Sequence, residues 1–334
     1  MVISWPAVGG GLAVVVAWLC ASVDGGSRIV GELDVAPYRP PRWVAHFPLL
    51  SLGWEGLRVF LDFLCRAEGW TVREFCLPFD DVPWIRCLAL SGAEPPAGAP
   101  VAVLHHPSAP AAVFSERLAR ALRSAGYRVF AVPPAGIPGS MADHAAWYLR
   151  VVGAIHEAHP GAPILLHGAS GGAELLCVGL LRTPGELRRV GVRGVALQGC
   201  PYQRLAEKHG AADDDPGVAT LALNAGDDPV YGQIAGPEAW RADLGADAAT
   251  LGARPGTTLA YCDRGSHCAF LDGWCGRSSW AERCVVAFAA RVARSDEACR
   301  ALDERVERAV EAERACQRDW ELAVEEHRRD LGPT

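Results

Sequence analysis

The sequence predicts an α/β protein in which a mostly parallel central sheet is covered by helices on both faces. From about residue 84 onward, apolar runs of strand length alternate with segments of helical periodicity, a pattern typical of parallel sheets. The runs are apolar throughout rather than at every second position, which indicates strands buried on both faces. The predicted strands are Val101–Leu104, Arg128–Val132, Pro163–Leu166, Val192–Leu197, Val218–Leu223 and Thr257–Tyr261.

Helical periodicity is the second observation behind this fold class. The segment GGAELLCVGLL, which follows Ser170, is apolar almost all round and is expected to be a fully buried helix. In three other segments, apolar residues recur every three or four positions, as on one face of a helix. They are Phe114, Leu118, Leu122 and Ala125; Ala145, Leu149 and Val152; and Trp280, Cys284, Phe288 and Val292.

The composition excludes several classes of protein. Half of the 334 residues are hydrophobic and 21% are charged, which excludes a disordered chain and allows a large core. The net charge is −7 with no strongly basic face, so nucleic acid is not an expected partner. No two of the twelve cysteines have Cys-x-x-Cys spacing, so no metal site is expected. Cys262, Cys268, Cys275 and Cys284 lie close in sequence, and buried free thiols or disulfides both remain open for them.

The N-terminal region divides into two parts. Residues 7–23 carry no charge, and their length lies between that of a secretory signal and that of a membrane-spanning helix. A membrane anchor, a cleaved signal and a buried element of the globular body all remain open, so we expect a membrane-associated or secretory-pathway protein, or otherwise a cytoplasmic one. Residues 24–83 are interpreted as a linker with N-terminal helix and strands. The Pro-rich VAPYRPPRW at residues 35–43 is typical of an extended linker, and LGWEGLRVFLDF at 52–63 of an amphipathic helix.

The C-terminal residues 295–334 differ from the rest of the chain. They are dense in Glu and Arg and carry only a weak apolar stripe, which predicts one charged helix. This pattern has two interpretations, a solvated terminal helix or a coiled coil through which the chain self-associates. The sequence therefore suggests four regions: an anchor or signal at 1–23, the linker region at 24–83, a catalytic domain at 84–294 and the charged helix at 295–334.

The strongest chemical signal is GASGG at residues 168–172, which fits G-x-S-x-G. The strand PILLH precedes it and the buried helix follows it, and this strand–turn–helix context is that of a nucleophile elbow. Glycines are needed at the flanks because the serine sits in a strained backbone packed closely against its neighbours. Ser170 is therefore the candidate nucleophile, and the N–H of Gly171 can face a developing oxyanion at the helix N-terminus.

A nucleophilic serine needs a base, and the base needs an orienting carboxylate. The strand Val218–Leu223 runs into Asp227 and Asp228, and the strand Thr257–Tyr261 runs into a loop that contains His267. The carboxyl ends of parallel strands meet at one edge of a sheet, which brings these side chains towards the serine. We predict His267 as the base and Asp228 as the acid, with Asp227 as the alternative acid.

These segments resemble the α/β-hydrolase family, in which serine, acid and histidine follow one another in this order. The resemblance covers about residues 84–294. Within the family, the chain is similar to the YheT-like branch of abhydrolase-domain esterases, whose acid segment resembles DDP and whose histidine segment resembles G-G-H-x-x-F followed by a Trp-containing helix. The resemblance implies the α/β-hydrolase fold, esterase or lipase activity and, in the eukaryotic members of the branch, an N-terminal membrane segment.

The chain departs from this family where the second oxyanion donor is expected. The family has His-Gly after the first parallel strand, whereas this chain has His105-His106 followed by Pro107, which has no backbone N–H. His106 and Ser108 are the candidate substitutes for the missing donor, alongside Gly171.

The sequence also predicts that no large lid is inserted. Only twenty residues, 198–217, separate the strand that ends at Leu197 from the strand that precedes the acid. We therefore expect an open or shallow site, with any cover supplied by the N-terminal part of the chain.

These residues predict a serine hydrolase that cleaves carboxylic esters through a Ser-Asp-His triad and an acyl-enzyme. Lipid-like acyl esters are a further expectation, because the stretch from Trp43 to Trp54 is rich in aromatic and apolar residues. A thioesterase or acyltransferase could use the same triad, and a non-catalytic binding protein with this fold is the alternative. The triad supplies its own nucleophile and base, so no cofactor is expected. The expected partners are a small ester or lipid substrate, a membrane through residues 7–23, and a second copy of the chain through the C-terminal helix.

Overall fold

A nine-stranded, mostly parallel sheet forms the centre of the part of the chain that the structure describes. The structure is a computed structural model that describes residues 18–19, 21–31, 33–50, 53–54, 57, 69–76, 84–91, 95–106, 115–133, 139–209, 218–252, 256–272 and 278–293. The strands are β1 (Arg28–Val30), β2 (Trp70–Cys76), β3 (Trp84–Leu90), β4 (Val101–His105), β5 (Arg128–Val132), β6 (Ile164–Ala169), β7 (Val192–Gln198), β8 (Ala219–Ala225) and β9 (Thr257–Cys262).

The strand order is β1-β9-β8-β7-β6-β4-β5-β3-β2. The six strands from β5 to β9 across the centre are parallel, whereas β2, β3 and β1 pair antiparallel at the two edges. All six strands predicted from the apolar runs are present within three residues of their expected ends, and they form this parallel centre. The predicted α/β-hydrolase fold is thus confirmed. The edge strands β1 and β2 extend the sheet beyond the sequence boundary suggested at residue 84.

Helices cover both faces of this sheet. On one face, α3 (Met141–Ala158) and α4 (Gly171–Arg182) pack in a core that includes Val151, Ile155 and Leu176. On the other face, α2 (Glu116–Ser124) and α9 (Trp280–Ala293) pack in a core that includes Leu122 and Phe288. The predicted burial of the helix after Ser170 is confirmed, since eight of the twelve residues of α4 are buried. The helices are α1 (Arg42–His46), α2 (Glu116–Ser124), α3 (Met141–Ala158), α4 (Gly171–Arg182), α5 (Pro184–Arg189), α6 (Tyr202–His209), α7 (Pro229–Ala235), α8 (Pro237–Gly252) and α9 (Trp280–Ala293).

The connection between β7 and β8 spans residues 199–218. Between β7 and β8 only the eight-residue helix α6 is described, with residues 210–217 outside the described residues. This agrees with the expectation that no large lid is inserted there. A small hairpin of β10 (Leu271–Asp272) and β11 (Ser278–Ser279) leads from the end of the central sheet into α9.

The Pro-rich segment at residues 35–43 is not a free linker, and that expectation was wrong. The Tyr38 side chain is fully buried, with its ring 5.5 Å from that of Trp280. The indole of Trp280 donates a hydrogen bond to the carbonyl of Ala36 at 3.0 Å. The extended backbone that proline favours is present, but burial of one aromatic side chain holds the segment against α9.

Several sequence expectations fall on residues that the structure does not describe. They concern most of the uncharged run at residues 7–23, most of the amphipathic helix at 52–63, and the charged helix at 295–334. Within the described ranges, no helix is long and apolar enough to cross a membrane. Of the four clustered cysteines, Cys262, Cys268 and Cys284 carry free thiols, whereas Cys275 lies outside the described residues.

We expect Tyr38→Ala to lower the free energy of unfolding by about 3–5 kcal/mol, as for other buried aromatic residues truncated to alanine. The Tyr38 hydroxyl is buried without a hydrogen-bond partner among the described residues, so Tyr38→Phe should not destabilise the protein. Urea unfolding of both variants checks this prediction. Equal stability of Tyr38→Ala and Tyr38→Phe would mean that residues 35–43 do not contribute to the core.

Candidate active site

Ser170 lies at a sharp turn between β6 and α4. Its backbone has φ 55° and ψ −132°, a left-handed conformation that residues other than glycine rarely adopt. A Cβ atom on Gly168 would lie 2.5 Å from the carbonyl oxygen of Gly172, and one on Gly172 would lie 2.6 Å from the carbonyl oxygen of His105. The close approach of helix and strands therefore requires both glycines, and the strand–turn–helix predicted around GASGG is confirmed.

Hydrogen bonds hold the strained backbone of Ser170 in place. Its N–H donates to the carbonyl of Gln198 at 2.8 Å, which ties the turn to β7. Its carbonyl accepts from the N–H groups of Ala173 at 2.8 Å and Glu174 at 3.1 Å. Gly171 begins α4, and the first N–H groups of a helix have no partner within the helix. This N–H group therefore lies beside the serine with no acceptor of its own in α4.

The structure brings His267 directly to Ser170. The loop after β9 carries the imidazole, whose Nε2 lies 2.8 Å from the Ser170 Oγ and whose Nδ1 lies 2.7 Å from Asp228 Oδ2. A carboxylate only accepts hydrogen bonds, so Nδ1 donates to Asp228, and in the neutral imidazole Nε2 accepts from the serine hydroxyl. Both His267 and Asp228 are buried. The geometry is that of a nucleophile, a base and an orienting acid.

Backbone N–H groups at the start of α7 hold the Asp228 carboxylate in position. Its Oδ1 accepts hydrogen bonds from the N–H groups of Val230 at 2.8 Å and Tyr231 at 3.1 Å, so the carboxylate caps the N-terminus of α7. Pro229 occupies the first turn of this helix, where its missing N–H costs nothing. One carboxylate oxygen therefore holds the helix while the other holds the imidazole of His267.

Asp227, the alternative acid, does not contact the imidazole. Its Oδ1 accepts from the N–H groups of Gly265 at 2.7 Å and Ser266 at 2.8 Å, the two residues that precede His267. Burial raises the pKa of the Asp227 carboxyl, and these backbone hydrogen bonds oppose the rise. The Asp227 carboxylate thus holds the backbone of the histidine loop and does not hold the His267 side chain.

The histidine loop is strained and tied down from several sides. Ser266, Cys268 and Phe270 all have positive φ, at 55°, 60° and 41°. The Gln198 side-chain amide donates to the Cys268 carbonyl at 2.7 Å, and the Ser266 hydroxyl donates to the Pro48 carbonyl at 2.7 Å. Neither of these contacts was expected from the sequence. Gln198 could have been singled out in the sequence because it is a polar residue at the end of the apolar strand β7.

Opposing effects act on the pKa of His267. Burial lowers it, but the neighbouring Cys268 thiol and the Asp228 carboxylate raise it more, to about 10. Tyr231 contributes shape rather than charge, since its ring lies edge-on to the imidazole with centroids 5.5 Å apart. The Tyr231 hydroxyl donates to Glu174 Oε1 at 2.6 Å, which fixes that ring against α4.

The structure describes only some of the candidate oxyanion donors. His106 is buried, and burial together with the charge of His267 lowers its pKa to about 4, so the imidazole is neutral near pH 7. Its backbone directly follows β4, the strand whose last carbonyl contacts the elbow at Gly172. Ser108 and Pro107 lie outside the described residues. Gly171 and His106 are therefore the candidates that the structure describes.

The neighbouring histidines His105 and His167 are part of the core. His105 packs on Tyr148 with ring centroids 4.8 Å apart, and His167 Nε2 lies 3.2 Å from Gln198 Oε1. Burial lowers the pKa of both imidazoles to about 4. Over the described residues, no group of three or more His, Cys, Asp or Glu side chains is arranged to hold a metal ion.

Two alanine substitutions on α4 test the packing at the elbow. We expect Gly172→Ala to destabilise the protein by about 1–3 kcal/mol, because the new Cβ would overlap the His105 carbonyl. Gly179→Ala on the same helix meets nothing within 4 Å, so it should stabilise the protein by about 0.5–1 kcal/mol through helix propensity. Thermal and urea unfolding measure both effects. Equal shifts in stability for the two variants would mean that a Cβ atom at residue 172 meets no overlap with the His105 carbonyl.

Comparisons with known proteins give matches among solved structures alone. No family model matches the chain, and no curated protein matches it. A bacterial heroin esterase is 18% identical, with 75% of this chain and 93% of that one covered at a TM-score of 0.46. An esterase from Pyrobaculum calidifontis is 12% identical, with coverages of 73% and 94% and a TM-score of 0.46. An esterase from Pyrococcus furiosus is 11% identical, with coverages of 60% and 85% and a TM-score of 0.41.

Proposed function

We propose that this protein is a serine hydrolase that cleaves carboxylic esters. The observation that carries the proposal is the continuous chain of hydrogen bonds from Ser170 through His267 to Asp228, at 2.8 and 2.7 Å. Nucleophile, base and acid are each held by backbone contacts before any substrate arrives, so little reorganisation is needed for reaction. The strained turn at Ser170 supports the same proposal, because it exposes the hydroxyl beside the N-terminus of α4.

The proposed reaction has two halves. In the first, Ser170 Oγ attacks the ester carbonyl carbon while His267 Nε2 accepts the hydroxyl proton, and the Gly171 N–H donates to the oxyanion. The C–O bond to the alcohol then breaks, and His267 returns the proton to the departing alkoxide. In the second half, His267 deprotonates a water molecule that attacks the acyl-enzyme. The acid leaves, and the proton returns to Ser170.

Asp228 acts on the imidazole in both halves. It holds Nδ1 as the protonated nitrogen and stabilises the imidazolium that forms when Nε2 takes the proton. The same groups would serve a thioesterase, in which a thiol leaves instead of the alcohol, or an acyltransferase, in which a second alcohol instead of water attacks the acyl-enzyme. Lipid-like acyl esters are the proposed substrate class, supported by the exposed apolar side chains at residues 47–57 next to the histidine loop.

A fluorophosphonate probe tests whether the serine is activated. We expect the purified protein to be labelled, and Ser170→Ala and His267→Ala to lose labelling, because the probe reacts only with an activated hydroxyl. Ser124→Ala is the matched control, since this serine is exposed at the end of α2, away from the site. It should be labelled like the wild type. A folded wild-type protein that resists the probe would favour the non-catalytic binding protein instead.

Two aspartate variants separate the roles of the neighbouring carboxylates. We expect Asp228→Asn to lower kcat for ester hydrolysis by about 10³–10⁴, because the amide no longer selects the correct imidazole tautomer. Asp227→Asn keeps an oxygen acceptor for the N–H groups of Gly265 and Ser266, so kcat should stay within about tenfold of the wild type. Steady-state kinetics on a soluble nitrophenyl ester measure both. A larger loss in Asp227→Asn than in Asp228→Asn would reverse the assignment.

The pH dependence follows from the raised pKa of His267. The base must be neutral to accept a proton, so kcat/KM should fall as pH drops below the pKa of this imidazole. Since that pKa is shifted upward from 6.5, activity should still be rising above pH 7. Removing the Asp228 charge lowers the pKa, so the profile of Asp228→Asn should shift to lower pH. A wild-type profile already flat at pH 6 contradicts the assignment.

A further inference from the structure

Exposed apolar side chains are concentrated in one part of the described chain. Over all the described residues, eight large apolar side chains are exposed. Six of them lie between residues 18 and 57, and each of these six is 47–62% exposed. The other two, Val72 and Ile234, lie apart in sequence. We call the six the apolar patch. Its members are Trp18, Phe47, Leu49, Leu50, Trp54 and Leu57.

The apolar patch is formed by segments that contact one another. Trp18 stacks on His46 at the end of α1, with ring centroids 6.4 Å apart. Trp54 lies edge-on to Trp43 at the start of the same helix, at 6.3 Å. Phe47, Leu49 and Leu50 follow α1 directly in the chain. A surface with this many large apolar side chains is typical of an interaction site rather than of ordinary surface.

The segment that carries the patch is fixed to the histidine loop. The Ser266 hydroxyl donates to the Pro48 carbonyl at 2.7 Å, and the Arg264 guanidinium donates to the Ala45 carbonyl. Val44 packs with Ala269 and Leu271 in a small separate core. Residues on both sides of His267 therefore hold the patch at the rim of the candidate active site.

Charge at the patch differs from charge in the whole chain. The protein carries a net charge of −7, yet between residues 36 and 57 Glu55 is the only acidic residue, against Arg39, Arg42 and His46. The Arg42 guanidinium lies over the Trp18 ring, 4.8 Å from its centroid. Tryptophan and leucine side chains flanked by arginine are the combination that binds the interface of an anionic lipid layer.

The chain preceding the patch points to the same occupant. Trp18 is part of the uncharged run at residues 7–23, so the run leads directly onto the patch. A lipid layer accommodates an uncharged sequence of this length more readily than water does.

We propose that the apolar patch docks on an anionic lipid surface and thereby sets the site of Ser170 at the lipid interface. The inference that the substrate is a lipid ester rests on the proposed ester hydrolase function. Docking on the lipid surface does not depend on that reaction. Esters dissolved in the lipid layer would reach Ser170 without crossing bulk water, because the rim that carries Pro48 and Ser266 faces the layer.

Vesicle co-sedimentation of the full chain tests the docking. We expect the protein to bind vesicles that contain phosphatidylcholine and phosphatidylglycerol. It should bind vesicles of phosphatidylcholine alone more weakly. The double variant Leu49→Gln, Leu50→Gln should partition about 10-fold to 100-fold less, because two exposed leucines no longer enter the lipid. The matched control is Val72→Gln, Ile234→Gln, which changes two equally exposed side chains outside the patch and should bind like the wild type.

Activity measurements separate this proposal from the proposed function. The Leu49→Gln, Leu50→Gln variant should hydrolyse a soluble nitrophenyl ester like the wild type but lose activity on an ester carried in vesicles. Ser170→Ala should bind vesicles normally while inactive on both. Equal vesicle binding by the patch variant and the wild type would overturn the docking proposal. So would a wild-type protein that ignores vesicles and self-associates through Leu49 and Leu50 in light scattering.

Discussion

The site depends on two consecutive carboxylates at the end of β8. Asp228 holds the imidazole of His267 through one oxygen and the N-terminus of α7 through the other. Asp227 holds the backbone just before that histidine, at Gly265 and Ser266. Since β8 and β9 are neighbours in the parallel sheet, their carboxyl ends are adjacent, and two residues next to each other in sequence can restrain the side chain and the main chain of one loop.

The elbow contributes a second kind of constraint, which is steric. Gly168 and Gly172 allow α4 to begin so close to β4 and β6 that a single Cβ atom would not fit. That approach forces Ser170 into a left-handed conformation, and bonds from β7 and α4 maintain it. Strain of this kind persists only where the surrounding structure over-determines the backbone, and here the close packing and the hydrogen bonds act on the same residue.

The N-terminal segment joins the fold to the surface that surrounds the site. Tyr38 fills a gap beside Trp280 and Phe270, so the chain from β1 to α1 is anchored on the face that carries α9. Beyond α1, the chain contacts the histidine loop at Pro48 and then exposes its apolar side chains. The exposed segment is therefore joined to the histidine loop by the backbone carbonyl of Pro48 rather than by its apolar side chains.

The sequence by itself determined the parallel sheet, the turn at Ser170 and the order of serine, aspartate and histidine. Apolar runs and glycine spacing are local properties, and parallel strands bring their carboxyl ends together whatever the loops do. The sequence favoured Asp228 over Asp227 as the acid. Only the tertiary structure showed that Asp227 contacts the backbone of Gly265 and Ser266 instead of the imidazole, because the direction of the chain after β8 decides which carboxylate faces His267. Tertiary structure also decided that residues 35–43 pack, since burial of Tyr38 depends on Trp280, more than 200 residues away in the chain.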